Sequence, residues 1–208
     1  MNLQTQDGRL VVIAGASRSG KTVWTVRATA KDRRVIVWDA EGQWCDLRGY
    51  RKSSSRPELL RAVLAAGAGP LRVAYVPGGD LRAEFDFWAG VAFHWARYHG
   101  PAVAIAEELA DVTSQAKAPG NWGIMLRRGL KRGLSIYAIS QRWAEADKTA
   151  VGNASEFVLF RMSSADDVSY MAKKTRVPGA ELDGLQKLEF VRYSVEGEFE
   201  RGKLKFGK

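Results

Sequence analysis

Cysteine is almost absent: the chain has one, Cys45, in 208 residues. A single thiol excludes an intramolecular disulfide and suits a reducing cytoplasm. Cys45 reads as a small buried residue, not a nucleophile. Histidine is nearly as scarce. His94 and His99 stand five apart with no cysteine beside them, which excludes the usual zinc patterns. Nowhere do about 18 apolar residues run together, so no membrane span is expected, and no signal-peptide pattern is seen. Repeats, low-complexity stretches and linkers are also missing. With 46% hydrophobic and 26% charged residues, residues 1–208 read as one globular domain. Acidic residues are in deficit, 23 against 32 basic, for a net charge of +9. That imbalance favours a polyanionic partner, DNA or RNA. It concentrates in Arg48–Lys52, in Arg127–Arg132 and in the tail Arg201–Lys208.

What is present is a complete G-x-x-x-x-G-K-[ST] loop: Gly15, Ala16, Ser17, Arg18, Ser19, Gly20, Lys21, Thr22. The apolar run Leu10–Ala14 reads as a buried strand leading into it, and a helix over Lys21–Lys31 follows. Glycines let the backbone bend round phosphates, so that N–H groups and the helix N-terminus point at the anion. Lys21 is then placed for the β/γ-phosphates of ATP and the Thr22 hydroxyl for Mg²⁺.

Apolar runs alternate with longer amphipathic stretches, which predicts an α/β fold with a mostly parallel sheet flanked by helices. Strands are expected at Leu10–Ala14, Val35–Trp38, Leu71–Val76, Ala102–Ala106, Leu134–Ile139 and Phe157–Phe160. Helices are expected at Lys21–Lys31, Arg56–Ala66, Ala83–Tyr98, Trp122–Lys131, Ala144–Val151 and Ala165–Lys174. Phe85, Trp88, Ala92, Trp95 and His99 recur at helical spacing, a core stripe and not a stacking platform for bases. Ser53–Ser55 reads as a short loop before a helix. Beyond the core at 9–175, a helix over Ala180–Leu185 and a β-hairpin close the chain over 178–208. The hairpin pairs Leu188–Val195 with Phe199–Phe206 through a turn at Glu196-Gly197.

The strand Ala102–Ala106 ends in Glu107-Glu108, the position of a Walker B strand. Glu107 is read as the Mg²⁺ anchor and Glu108 as the carboxylate that polarises the attacking water. Glutamate stands at the first position where aspartate is usual. Gln141, at the end of Leu134–Ile139, is placed to hydrogen-bond water or the γ-phosphate if that strand lies between the other two.

Several of these segments resemble the motifs of the FtsK/HerA superfamily of P-loop ATPases. Asp39-Ala40-Glu41-Gly42-Gln43-Trp44 is similar to its D-x-x-G-E-[YF] turn, and Glu107–Asp111 to its D-E-x-x-D block. Gly133-Leu134, Ser140-Gln141-Arg142, Asn153, Phe157–Arg161 and Ser163-Ser164 follow its later series in order and spacing. The resemblance covers about residues 9–170. The compact length is similar to the genome-packaging ATPases of tailless, membrane-containing icosahedral phages and related archaeal viruses. It implies a RecA-like fold of the additional-strand, catalytic-glutamate type. It also implies ATP hydrolysis coupled to double-stranded DNA translocation through a homo-oligomeric ring, commonly a hexamer. The expected setting is the host cytoplasm, with contact to a capsid vertex or portal. An arginine finger from the neighbouring subunit is implied too, and Arg128 is the residue chosen for it. Two other readings stay open: a related motor for filamentous-phage export or DNA transfer, and a small P-loop nucleoside or nucleotide kinase.

Overall fold

The computed structural model describes residues 7–205 apart from Lys117, Pro119 and Glu198. Its strands are β1 (Leu10–Ala14), β2 (Arg34–Trp38), β3 (Arg51–Ser53), β4 (Leu71–Tyr75), β5 (Ala102–Ala106), β6 (Leu134–Ser140), β7 (Glu156–Phe160), β8 (Glu189–Ser194) and β9 (Phe199–Lys203). They form one sheet in the order β3-β4-β2-β5-β6-β1-β7-β8-β9. The pairs from β3 to β7 are parallel, and β7–β8 and β8–β9 are antiparallel. The expected parallel α/β sheet and C-terminal hairpin are therefore both present.

The helices are α1 (Lys21–Ala28), α2 (Arg56–Ala66), α3 (Leu81–His99), α4 (Leu109–Val112), α5 (Gly120–Arg128), α6 (Lys148–Asn153), α7 (Ala165–Thr175) and α8 (Gly179–Asp183). They cover both faces, and strand alternation divides the apolar side chains between two cores. On β5, Ala102, Ala104 and Ala106 face one core, and Val103 and Ile105 face the other. The alanine face shares its core with Trp88 and Trp95 of α3, Trp122 of α5, Trp38 of β2 and Trp143, so the smallest strand side chains lie where the largest rings gather. The Phe85–Trp95 stripe of α3 is core as expected, but His99 at its end is exposed.

Several boundaries differ from the sequence reading. The expected loop at Ser53 is the end of edge strand β3, whose Ser53 is buried against Tyr75 of β4. The helix expected over Ala144–Val151 begins only at Lys148. Asp147 caps it by accepting from the Thr149 N–H at 2.7 Å. The Trp143 indole donates to the Ile13 carbonyl at 2.8 Å and fixes the preceding segment as a turn. The helix expected over Trp122–Lys131 breaks at Gly129 into a 3-10 turn, Leu130–Arg132. α1 stops at Ala28, short of Lys31. Cys45 is half-buried, not buried, because it sits on a surface turn with Sγ 3.1 Å from the Gly42 carbonyl. The hairpin's second strand ends at Lys203, and Phe206–Lys208 of the basic tail lie outside the described residues. No helix among the described residues is long and apolar enough to cross a membrane.

Candidate functional site

β6 lies between β1 and β5, the placement on which the expected role of Gln141 depends. Register sets Ala14 beside Ser140 and Ala106 beside Ala138. The loops leaving these three parallel strands therefore open side by side at their carboxyl ends. Gly15–Thr22, Glu107-Glu108 and Gln141 meet there for that reason alone.

The phosphate loop turns on Gly15 and Gly20 and on Arg18, whose φ is +56°. Gly20 caps α1 without a side-chain bond, which leaves the first helical N–H groups open to an anion. The Ser19 hydroxyl is buried with no partner, a donor directed into the loop. Lys21 is 6% exposed, and its ammonium donates to the Gly15 and Ala16 carbonyls at 2.9 and 3.0 Å. Burial lowers its pKa, while Glu108, Glu107 and Glu41 oppose the shift. An anion entering the loop can take the ammonium over from those two carbonyls. The cleft in front of the loop has a volume of about 680 Å³, with Val23, Glu41, Lys187 and Leu188 on its walls.

The two glutamates make different contacts. Oε1 of Glu107 accepts from the Thr22 hydroxyl at 3.2 Å and from the Trp44 indole N–H at 2.7 Å. Burial pushes its carboxyl up to about 7, and Glu108 adds to the rise. Trp44, Lys21 and Thr22 pull it back. Glu108 has a left-handed backbone, φ +48° and ψ +55°, which is uncommon for a residue with a side chain. That turn brings Oε1 within 2.8 Å of the Gln141 side-chain amide, which donates to it. Gln141 thus binds Glu108 and does not cap the next helix.

The Asp39–Trp44 turn is built for its contact with Glu107. Buried Asp39 accepts the N–H groups of Gln43, Trp44 and Cys45 at 2.8–3.0 Å. This folds the loop back so that the Trp44 ring, fully buried, reaches Glu107. Sequence reasoning gave neither residue a role at the site. The available signal was an Asp-x-x-Gly turn directly after a strand adjoining β5. Asp111 and Arg142, from two other motif segments, form a 3.1 Å ion pair at the same edge.

Thr22 and Glu107 offer two oxygens at one point. Hard oxygen donors completed by water and phosphate suit Mg²⁺, which seldom takes an all-protein cage. Among the described residues no group of three or more His, Cys, Asp or Glu could hold a metal. The donor set fits a Mg²⁺ shared with a bound nucleotide.

Arg128 is not brought to this site. It is exposed at the end of α5, just before the start of β6, beside Arg127, Lys131 and Arg132. A seven-residue strand separates that edge from the phosphate loop, about 20 Å at the rise of a strand. Arg128 cannot serve the nucleotide of its own chain.

No protein-family profile matches the chain. Its sequence is 29% identical over 178 residues to Protein P9 of Pseudoalteromonas phage PM2, covering 85% of this chain and 79% of that protein. Its structure is similar to the genome packaging NTPase B204 of Sulfolobus turreted icosahedral virus 2 in complex with AMPPCP. The TM-score is 0.77 at 16% identity, over 95% of this chain and 98% of that one. VirB4 of Thermoanaerobacter pseudethanolicus shares the fold with a TM-score of 0.62 at 11% identity, over 100% and 92% of the two chains. In fold and motif series the chain resembles the FtsK/HerA-type P-loop ATPases.

Proposed function

We propose that this protein is an ATP-driven double-stranded DNA translocase of the viral genome-packaging kind, working as a homo-oligomeric ring, commonly a hexamer. The observation that carries the reading is the division of labour between adjacent carboxylates. Glu107 is tied to Thr22, and Glu108 is tied to Gln141. A phosphoryl transfer to water needs a metal anchor and a separately positioned base, and this pair supplies both.

In this reading the loop amides and Lys21 hold the β- and γ-phosphates. The Thr22 hydroxyl and the Glu107 carboxylate hold Mg²⁺, which neutralises charge on the phosphates when bound. Glu108 accepts the proton of the attacking water, and Gln141 fixes the direction of the Glu108 carboxylate and reports the γ-phosphate. Arg128 belongs to the neighbouring subunit's nucleotide, because its own lies across the sheet. DNA contacts are to the backbone and sequence-blind, since a packaging motor must traverse every sequence. Support comes from the similarity to a phage protein and to the fold of a viral genome packaging NTPase. A host-cytoplasmic setting and contact with a capsid vertex or portal complete the proposal.

The test is steady-state ATP hydrolysis by wild type and Glu108→Gln, with and without long double-stranded DNA at low salt. Hydrolysis stimulated by DNA and lost in the variant is expected, with ATP binding retained. Hydrolysis indifferent to DNA but switched on by a nucleoside would replace the motor with a kinase.

A further inference from the structure

The cavity between α3 and α5 is lined by Phe93, Arg97, Arg127, Arg128, Lys131 and Arg132 and has a volume of about 470 Å³. All five cations are exposed. None of them makes a salt bridge to a carboxylate among the described residues. Elsewhere on the surface, Arg56, Arg142, Arg192 and Arg201 all have acidic partners. Five like charges held round one hollow repel each other unless an anion enters.

The sequence placed four of these residues in one run. Folding adds Arg97 from a helix turn some thirty residues earlier, because α3 and α5 pack side by side. Phe93 closes the floor and is 6% exposed, so the floor of the cavity offers the cations an apolar ring and no counter-charge. One trans contact to a neighbouring γ-phosphate needs one of these cations and leaves four.

We infer that Arg97, Arg127, Lys131 and Arg132 form a seat for the phosphate backbone of double-stranded DNA, near the amino ends of β5 and β6 and so at the opposite end of the strands from the nucleotide. This inference rests on the DNA-motor reading and adds a location to it. Phosphodiesters spaced along a duplex match several cations spread over two helices, whereas a single free phosphate would meet only some of them. Cations that meet phosphates carry no sequence information, so a seat on the backbone is blind to sequence.

The experiment titrates a labelled duplex of about 30 base pairs by fluorescence anisotropy between 50 and 200 mM salt, with the full chain. It compares wild type, Arg97→Ala/Lys131→Ala, and a control, Arg61→Ala/Arg82→Ala, which removes equal charge from exposed positions elsewhere. Each phosphate contact contributes about 0.9 to the slope of log affinity against log salt. The Arg97/Lys131 variant should lose about 1.8 from the slope. Over that fourfold change in salt, wild type should therefore lose about 12-fold more affinity than the variant. DNA-independent hydrolysis should be unchanged, and the control should keep the wild-type slope. An unaltered slope in the Arg97/Lys131 variant overturns the inference while leaving a DNA-stimulated wild type as a motor. Loss of basal hydrolysis at unaltered slope also overturns it, and assigns the cluster to a neighbour's nucleotide. A wild type that hydrolyses ATP but does not bind the duplex overturns both the inference and the motor reading.

Discussion

Glu107→Gln should stabilise the ligand-free protein, increasingly as pH rises from about 5 to about 7. The Glu107 carboxyl is held to about 7 mainly by burial, against an ordinary value of 4.5. Between these two values the folded chain keeps a proton that the unfolded chain has released. Stability therefore falls as pH rises through that window and is restored below it. At pH 8 the penalty for ionising Glu107 is about 3 kcal/mol, and at pH 5 it is below about 1 kcal/mol. Glutamine keeps an oxygen to accept from Trp44 and Thr22 but never ionises, so it removes the penalty at no cost in contacts. For a chain of this length each 1 kcal/mol is worth roughly 2–4 °C in Tm. Thermal unfolding followed by circular dichroism should show the variant melting about 6–12 °C above wild type at pH 8. The gap should nearly close at pH 5. Equal gaps at both pH values would refute the reasoning, because they would mean that a contact had changed and not a protonation. The same variant should lose hydrolysis, so that a change which stabilises the fold disables the proposed metal anchor.

Trp44→Phe removes one of the two donors to Glu107 Oε1. A hydrogen bond to a charged group is worth about 1.5–3 kcal/mol, so half-saturating Mg²⁺ for hydrolysis at pH 7 should rise about tenfold or more. The defect should shrink at pH 9, where the carboxyl ionises regardless, and a Mg²⁺ requirement equal to wild type at pH 7 would reduce Trp44 to packing alone. Gly20→Ala places a methyl 2.6 Å from a Leu204 carbon on a backbone with φ +118°. Calorimetry should show a loss of about 1–3 kcal/mol and nucleotide binding should weaken, whereas an unchanged Tm would show that the loop relaxes freely.

The C-terminal hairpin packs against the phosphate loop and α1. Leu204 and Leu188 pack against Gly20, and the Arg27 guanidinium donates to the Lys205 carbonyl at 2.6 Å. A segment that reads as an appendage in sequence is therefore a wall of the nucleotide cleft, with Lys187 and Leu188 at its rim. The hairpin's position alone could not reveal this, because the pairing of β8 with β7 sets it.

Sequence was enough to locate the loop Gly15–Thr22, the small-residue strand ending in Glu107-Glu108 and the strand leading to Gln141. Each of these is local: a turn chemistry, an alternating or continuous apolar run, a polar residue just past a strand end. It also determined the mostly parallel α/β architecture, since strand and helix periods alternate along the chain. Which strands are neighbours was settled by packing between elements. That choice put Gln141 on Glu108 and swung Trp44 onto Glu107. The helix limits at Lys148 and Gly129 carry local signals, the Asp147 cap and the glycine, but the turn that precedes Lys148 is held by Trp143 reaching the distant Ile13 carbonyl. Spacing along a chain fixes direction and face within one element. Contacts between elements depend on sheet order and register, and hydrogen bonds to distant carbonyls and carboxylates settle both.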